Sequence, residues 1–311
     1  MHPAMGLYRS IENVPLPELR PDDVVAIKLH MGERGNHAHV KPEDVRVLVS
    51  RIQACGGRAL VTDTTTLYQR HRATVDGYLE TARLNGFTEE TIGAPVVIAD
   101  ADGGQKIGRV DMAKGILGAD VLIVFSHATG HITTGFAGAI KNVAMGCVTK
   151  DGKRYIHSAG WPRHNRTLCQ ECGECAEACP FGFIKLADGV SIDLRNCPAC
   201  ERCLRTCKHG GLWRPPDAME TCYLRYAETC RTVMSCFDRV LFINEINRVT
   251  RYCDCSVDPG PLISPDRGFL AGDEPVAIDR RSAEIIMQAA GAKEALEPKW
   301  SDFIGVVSGH L

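Results

Sequence analysis

Val121-Leu122-Ile123-Val124-Phe125-Ser126 is an unbroken apolar run of strand length, rich in β-branched and aromatic residues. A strand wetted on one face alternates apolar with polar residues. A run without alternation belongs in a sheet covered on both faces, which is the habit of parallel sheets. Three runs of the same kind precede it: Asp23–His30 (DVVAIKLH), Arg58–Asp63 (RALVTD) and Pro95–Ala99 (PVVIA). Between them lie helical patterns at Pro42–Cys55, at Ala73–Asn85 ending on Gly86, and at Val110–Leu117 ending on Gly118. Pro near a first turn and Gly past a last one are the expected helix punctuation. This succession predicts an α/β fold with a mostly parallel sheet flanked by helices. After residue 216 the periodicity resumes, with a helix over Asp217–Cys236, a strand over Val240–Asn244 and a helix over Arg280–Ala290 that Asp279 would cap.

From Asp151 to Pro216 the pattern breaks, and the chain turns rich in Cys, Gly and Pro. The division expected is an α/β domain over residues 1–166 and 216–311, interrupted by a small insert over 167–215. Eight of the chain's fifteen cysteines fall in that insert. They read Cys169-x2-Cys172-x2-Cys175-x3-Cys179-Pro180 and then Cys197-x2-Cys200-x2-Cys203-x3-Cys207. A cubane iron–sulfur cluster takes four thiolates, three from one tight loop and the fourth from elsewhere. A zinc site is the rival, but it draws on two C-x2-C pairs per metal and not on two runs of four. The insert is therefore expected to be a dicluster ferredoxin-like module with two 4Fe–4S clusters. The two-cluster ferredoxin arrangement assigns Cys169, Cys172, Cys175 and Cys207 to one cluster, and Cys197, Cys200, Cys203 and Cys179 to the other. Lys208 stands after the last cysteine where the first run has Pro180, which alters loop stiffness and not ligation.

The remaining bulk properties exclude several classes. With 36 Lys and Arg against 38 Asp and Glu, the formal charge of −2 gives no basis for nucleic acid as a partner. The apolar runs are far short of a membrane span, and Met1-His2-Pro3-Ala4-Met5 lacks the basic and apolar regions of an export signal, so a cytoplasmic protein is expected. A disulfide framework is disfavoured by the odd cysteine count and the chain length.

Outside the insert, several stretches are denser in polar residues and glycine than a scaffold needs. Ser126-His127-Ala128-Thr129-Gly130-His131 follows the end of a predicted strand, where open α/β sheets place ligands. It leads into Gly135-Phe136-Ala137-Gly138-Ala139-Ile140-Lys141-Asn142 and Met145-Gly146-Cys147. Cys253-Asp254-Cys255 and Asp273-Glu274-Pro275-Val276-Ala277-Ile278-Asp279 come later, while Ile27–Asn36 and Thr62–Tyr68 come earlier. Together these resemble the iron–sulfur-containing members of the domain-of-unknown-function 362 family, from about residue 24 to residue 288. The chain departs from that pattern at Ala137, at Glu274 and in a shorter segment around residues 100–110. The resemblance implies the architecture above and a bound dicluster insert, and it names a type of protein more than a reaction.

The candidate site follows. His127 and His131 lie four residues apart, so on a helix they would share a face, and near the sheet's C-terminal edge they could shuttle protons or hold a metal. With Lys141 they form the expected catalytic group, Lys141 offering an ammonium to a carboxylate or phosphate. Gly135, Gly138, Lys28 and Asp63 are the expected cofactor-binding residues. No G-x-G-x-x-G fingerprint occurs there, so NAD is not expected. His30, His37 and His39 form a weaker second group, and His71, His157, His164 and His209 read as structural. Cys147, Cys253 and Cys255 form a candidate extra metal or redox site, whereas Cys222, Cys230 and Cys236 share a broad helix face and read as core. The reading that joins these is a ferredoxin-linked oxidoreductase acting on a small substrate or bound organic cofactor, with a redox partner such as a ferredoxin or flavodoxin. The alternatives are an electron-transfer adaptor docking on a larger oxidoreductase, and a metal- or cofactor-handling protein. A carrier alone would need only the insert, so the large α/β part favours the enzyme.

Overall fold

The structure, a computed structural model, describes residues 5–186 and 189–311; most of the Met1–Met5 stretch read above lies outside them. Seven strands form the central sheet: β1 (Gly6–Tyr8), β2 (Val24–Lys28), β3 (Arg58–Asp63), β4 (Val96–Ile98), β5 (Val121–His127), β6 (Val240–Ile246) and β7 (Gly268–Gly272). Their order is β1-β7-β6-β5-β2-β3-β4. The pairs β6·β5, β5·β2, β2·β3 and β3·β4 are parallel, and β7 pairs antiparallel with both β6 and β1. The sheet is thus mostly parallel, with an antiparallel margin. Both edge strands are only three residues long, which limits the unpaired backbone they present.

All seven residues of β5 are buried. Its neighbours alternate between two cores, as the pleat requires. Val121, Ile123 and Phe125 point to one face with Val25 and Ile27, while Leu122 and Val124 point to the other with Ala26. On the first face lies α1 (Pro42–Ala54), which buries Val45, Leu48, Val49 and Ile52 at one-turn spacing, beside α2 (Val75–Leu84). On the second lie α3 (Ala139–Gly146), α4 (Lys150–His157), α5 (Ala218–Met234), α6 (Pro275–Met287) and α7 (Lys299–Ser308). Cys222 and Cys230 are buried in α5, and Cys236 packs just past its end.

Three expectations for local structure are corrected. Val110–Leu117 is not one helix: Val110–Ala113 pairs with Gly104–Ile107 as a hairpin, and only Lys114–Leu117 is helical. Gly108 takes φ +61 in the two-residue turn, which a glycine adopts without steric cost. The helix read as Arg280–Ala290 begins at Pro275, capped by the Glu274 carboxylate, which accepts from the Val276 and Ala277 amides at 3.1 and 2.6 Å. Asp279 lies inside that helix and caps a different one. It accepts from the Ala139 and Ile140 amides at the start of α3, at 2.7 and 3.0 Å.

Residues between α4 and α5 leave the main sheet. Arg163–His164 pairs antiparallel with Leu212–Trp213, and within that neck are a hairpin (Ile184–Leu186 with Val190–Ile192) and two short helices, Glu174–Glu177 and Arg202–Thr206. Glu201 pairs with Arg214 within this excursion at 2.9 Å and ties it to α7 of the main part through Lys299 at 3.8 Å. No helix among the described residues is long and apolar enough to cross a membrane.

Candidate functional site

The strand order reverses beside β2. β3 and β4 extend the sheet to one side of it, and β5 and β6 to the other. In open parallel sheets, such a switch point leaves a crevice past the carboxyl ends of the strands, because the connections diverge there. At this place the chain gathers charged groups that are otherwise rare inside proteins.

Lys28 ends β2, is 1% exposed, and pairs with Asp63 at the end of β3 at 2.9 Å. Its ammonium also donates to Asn142 Oδ1 at 2.5 Å. Asn142 Nδ2 donates in turn to the Phe125 carbonyl at 3.1 Å and to Ser126 Oγ at 3.0 Å, tying α3 to β5. Burial works to raise the Asp63 carboxyl, but Lys28 and His30 nearby and the Tyr78 hydroxyl that donates to it hold it below the usual range. A Cβ at Gly146 would lie 2.1 Å from Lys28 Nζ, so only glycine lets α3 approach this pair.

A second group surrounds Asp254. Its Oδ2 lies 3.2 Å from His30 Nδ1 and 4.0 Å from His127 Nδ1. Burial works to raise the carboxyl, but His30, His127 and Lys141 hold it far below its ordinary value. His127 Nε2 lies 2.8 Å from the Asn247 carbonyl, to which it donates, so Nδ1 carries the lone pair; Nδ1 is buried and makes no hydrogen bond among the described residues. Burial pushes this imidazole down to about 4, so it is neutral. His131 Nδ1 accepts from the Thr133 and Thr134 amides at 3.3 and 3.2 Å, which places its proton on Nε2. Lys141 makes no hydrogen bond or ion pair among the described residues, and burial pushes its ammonium down to about 8.

The structure thus brings His127, His131, Lys141, Lys28 and Asp63 to one end of the sheet, with both histidines in extended backbone. His127 closes β5, and His131 ends Thr129–His131, a short strand paired with Gly135–Ala137. Gly135 and Gly138 serve packing. A Cβ at Gly135 would lie 2.3 Å from the Leu296 carbonyl, and one at Gly138 would lie 2.3 Å from Asp279 Oδ1. Of the weaker histidines, His30 joins the site, His39 packs at a tilt against Phe87 with ring centroids 5.7 Å apart, and His37 is exposed. His71 pairs with Glu33 at 3.2 Å. Cys253 and Cys255 are joined as a disulfide, while Cys147 lies in the main apolar core, which includes neither. The three therefore do not converge. The sequence assigned no role to Asp254 as a charge or to Arg72, which is buried against Glu33 at 3.1 Å, and His157, read as structural, is pushed down to about 4 by burial beside Lys141. Asp254 was visible between its cysteines; the other two had no local signal.

The excursion holds two voids. One, open to solvent, is walled by Cys179, Cys197, Cys200 and Cys203 together with Phe181 and Phe183. The other, also open to solvent, is walled by Cys169, Cys172, Cys175 and Cys207. Each takes three cysteines from one loop and the fourth from the other. The loops also share a backbone. Glu171 and Gly173 flank Cys172 at φ +52 and +84, and Ala199 and Glu201 flank Cys200 at φ +52 and +67. A side chain at positive φ costs roughly 1–2 kcal/mol, so its repetition at matched places marks loops bent to surround something. Among the described residues, no three His, Cys, Asp or Glu side chains converge on a single ion. Thiolates spread around a cubane have no need to. Residues and voids both fit such a group.

Phe181 links this void to the main site. It stacks on Phe183 at 5.4 Å and meets Tyr68 at 5.6 Å. The Tyr68 hydroxyl accepts from Arg72 at 2.7 Å.

A mostly parallel α/β sheet with a charged switch point and a cysteine-walled excursion defines the class of protein. The chain belongs to the family described as a domain of unknown function, DUF362, whose sequence profile matches residues 25–284. No curated protein matches it in sequence. Similar solved structures include the lactate racemase apoprotein from Thermoanaerobacterium thermosaccharolyticum, at 12% identity and a TM-score of 0.41 over 91% of this chain and 57% of that one. Another is a protein from Thermotoga maritima, at 10% identity and a TM-score of 0.39 over 90% of this chain and 56% of that one. The chain thus spans a little over half the length of either.

Proposed function

We propose that this chain is an iron–sulfur oxidoreductase that holds two 4Fe–4S clusters in its excursion and acts on a small anionic substrate or cofactor at the sheet's switch point. The observation that carries the reading is the pair of voids, each walled by the crossed set of four cysteines. Cys169, Cys172, Cys175 and Cys207 would hold one cluster, and Cys179, Cys197, Cys200 and Cys203 the other. Such clusters, when bound, supply one-electron carriage at potentials tuned by charge and exposure.

The switch-point residues have complementary work. Lys141 offers an unpaired cation to an anionic group, which would gain strength from the partial burial of the ammonium. The Lys28–Asp63–Asn142 network ties α3 to β2, β3 and β5. His127 presents a lone pair and His131 an N–H, so an acceptor and a donor stand ready for a molecule that changes protonation as it changes oxidation state.

Iron and acid-labile sulfide measured on anaerobically purified protein test the reading. About eight of each per chain is expected. Zinc without sulfide would overturn it.

A further inference from the structure

We infer that Cys253 and Cys255 form a redox-active disulfide at the switch-point site, exchanging two electrons with a dithiol. Four observations carry this. The two sulfurs are bonded across a single intervening residue. A bond closing so small a loop removes little freedom from the unfolded chain, so it is a poor staple. The segment is also already held in place without it. The Asp254 carbonyl accepts from the Glu33 amide at 3.2 Å, the Cys253 carbonyl from the Ser256 amide at 3.0 Å, and the Ser256 carbonyl from Asn36 at 2.7 Å.

The residue between the sulfurs, Asp254, is the centre of the site's electrostatics. The titrating groups that feel it are His30, His39, His127, His131 and Lys141. Opening or closing the pair therefore acts on the carboxylate that faces His30 and His127. Finally, the two residues differ in exposure: Cys253 is 4% exposed, whereas Cys255 is half-buried, which makes Cys255 the side from which a thiolate would attack. Arg72, which reaches the Cys255 carbonyl at 3.4 Å, is the residue that also meets Tyr68 on the path to the excursion.

The exchange balances with no further reactant. A thiolate of the donor attacks Cys255 Sγ, the Sγ–Sγ bond breaks, and Cys253 leaves and takes up a proton. The donor's second thiolate then attacks the mixed disulfide and frees Cys255. One dithiol is oxidised to a disulfide, and its two protons end on Cys253 and Cys255.

The test is equilibration of the full-length, anaerobically prepared protein with mixtures of reduced and oxidised dithiothreitol. Thiols are then alkylated and the peptide carrying residues 253 and 255 is read by mass spectrometry. The pair is expected to pass from unlabelled to doubly labelled as the mixture becomes reducing, and a Cys253→Ser/Cys255→Ser variant loses two labels from the titrated total. Labelling of both sulfurs in the most oxidising mixture, or of neither in the most reducing one, would overturn the inference. It does not rest on the iron–sulfur reading. Iron measured on the same samples separates the two, since a full iron complement with a locked pair sinks only this inference, and a titrating pair without iron sinks only the other.

Discussion

Lys141 is held at a cost to the fold. Its ammonium has no ion pair among the described residues, and burial lowers its affinity for the proton to a value near 8. The unfolded chain binds that proton up to about pH 10.5. Between pH 8 and 10.5 the unfolded state therefore holds more protons, and stability rises with pH across that window; below pH 8 the penalty is complete. Lys141→Met should accordingly stabilise the ligand-free protein at pH 7 by about 1–2 kcal/mol, a discounted figure because the amine is partly exposed. The gain should fade towards pH 10.5 in denaturant titrations. A cation kept against stability is the mark of a group retained for binding. A destabilised Lys141→Met protein at pH 7 would show that an unrecorded partner holds the ammonium.

At the scale of elements, the two cysteine loops give the clearest forecast. Glu171 and Glu201 both sit at positive φ, where Gly173 shows the residue that fits without strain. Glu171→Gly should raise the stability of the metal-free protein by about 0.5–1 kcal/mol in equilibrium unfolding. Glu201→Gly should not, because it also removes the ion pairs to Arg214 and Lys299. No gain from Glu171→Gly would refute the strain account, and an equal gain from Glu201→Gly would show that its ion pairs contribute nothing to stability. These loops were readable from spacing because a cysteine pattern repeated at short, fixed intervals is a local signal, and the central strands were readable because burial on both faces forbids alternation. Elsewhere the signals were tertiary. Gly268–Gly272 is a strand because β6 and β1 flank it, though its Gly-Phe-Leu-Ala-Gly composition argues against one. The Gly104–Ile107 hairpin was masked by a helical alternation in Val110–Leu117. Asp279 carried a real capping signal but spent it on a helix more than a hundred residues earlier in the chain. At the site, His127, His131 and Lys141 were legible as dense polar residues after a strand. Arg72 and His157 were not, since only the fold brings them there.

For the whole molecule, the decisive feature is the neck. Residues 128–239, the excursion among them, separate β5 from β6, which nevertheless pair in register from Leu122·Val240 to His127·Glu245. The cost of closing such a loop grows only with the logarithm of its length, so removing about fifty residues from it changes that cost by about 0.5 kcal/mol. Replacing residues 165–211 with a two-residue Gly-Asn turn between the paired neck strands should leave a folded, monodisperse body that binds no iron. Circular dichroism and thermal unfolding would check it, and loss of the cooperative transition would show that the body depends on the excursion. The neck also carries a consequence for descent. Its two strands lie side by side, so a lineage could gain or shed the cassette between them by a single event in the gene, with no compensating change in the sheet. Relatives should therefore exist in which a short turn spans the same place and the switch point, relieved of its companion, has been put to other chemistry.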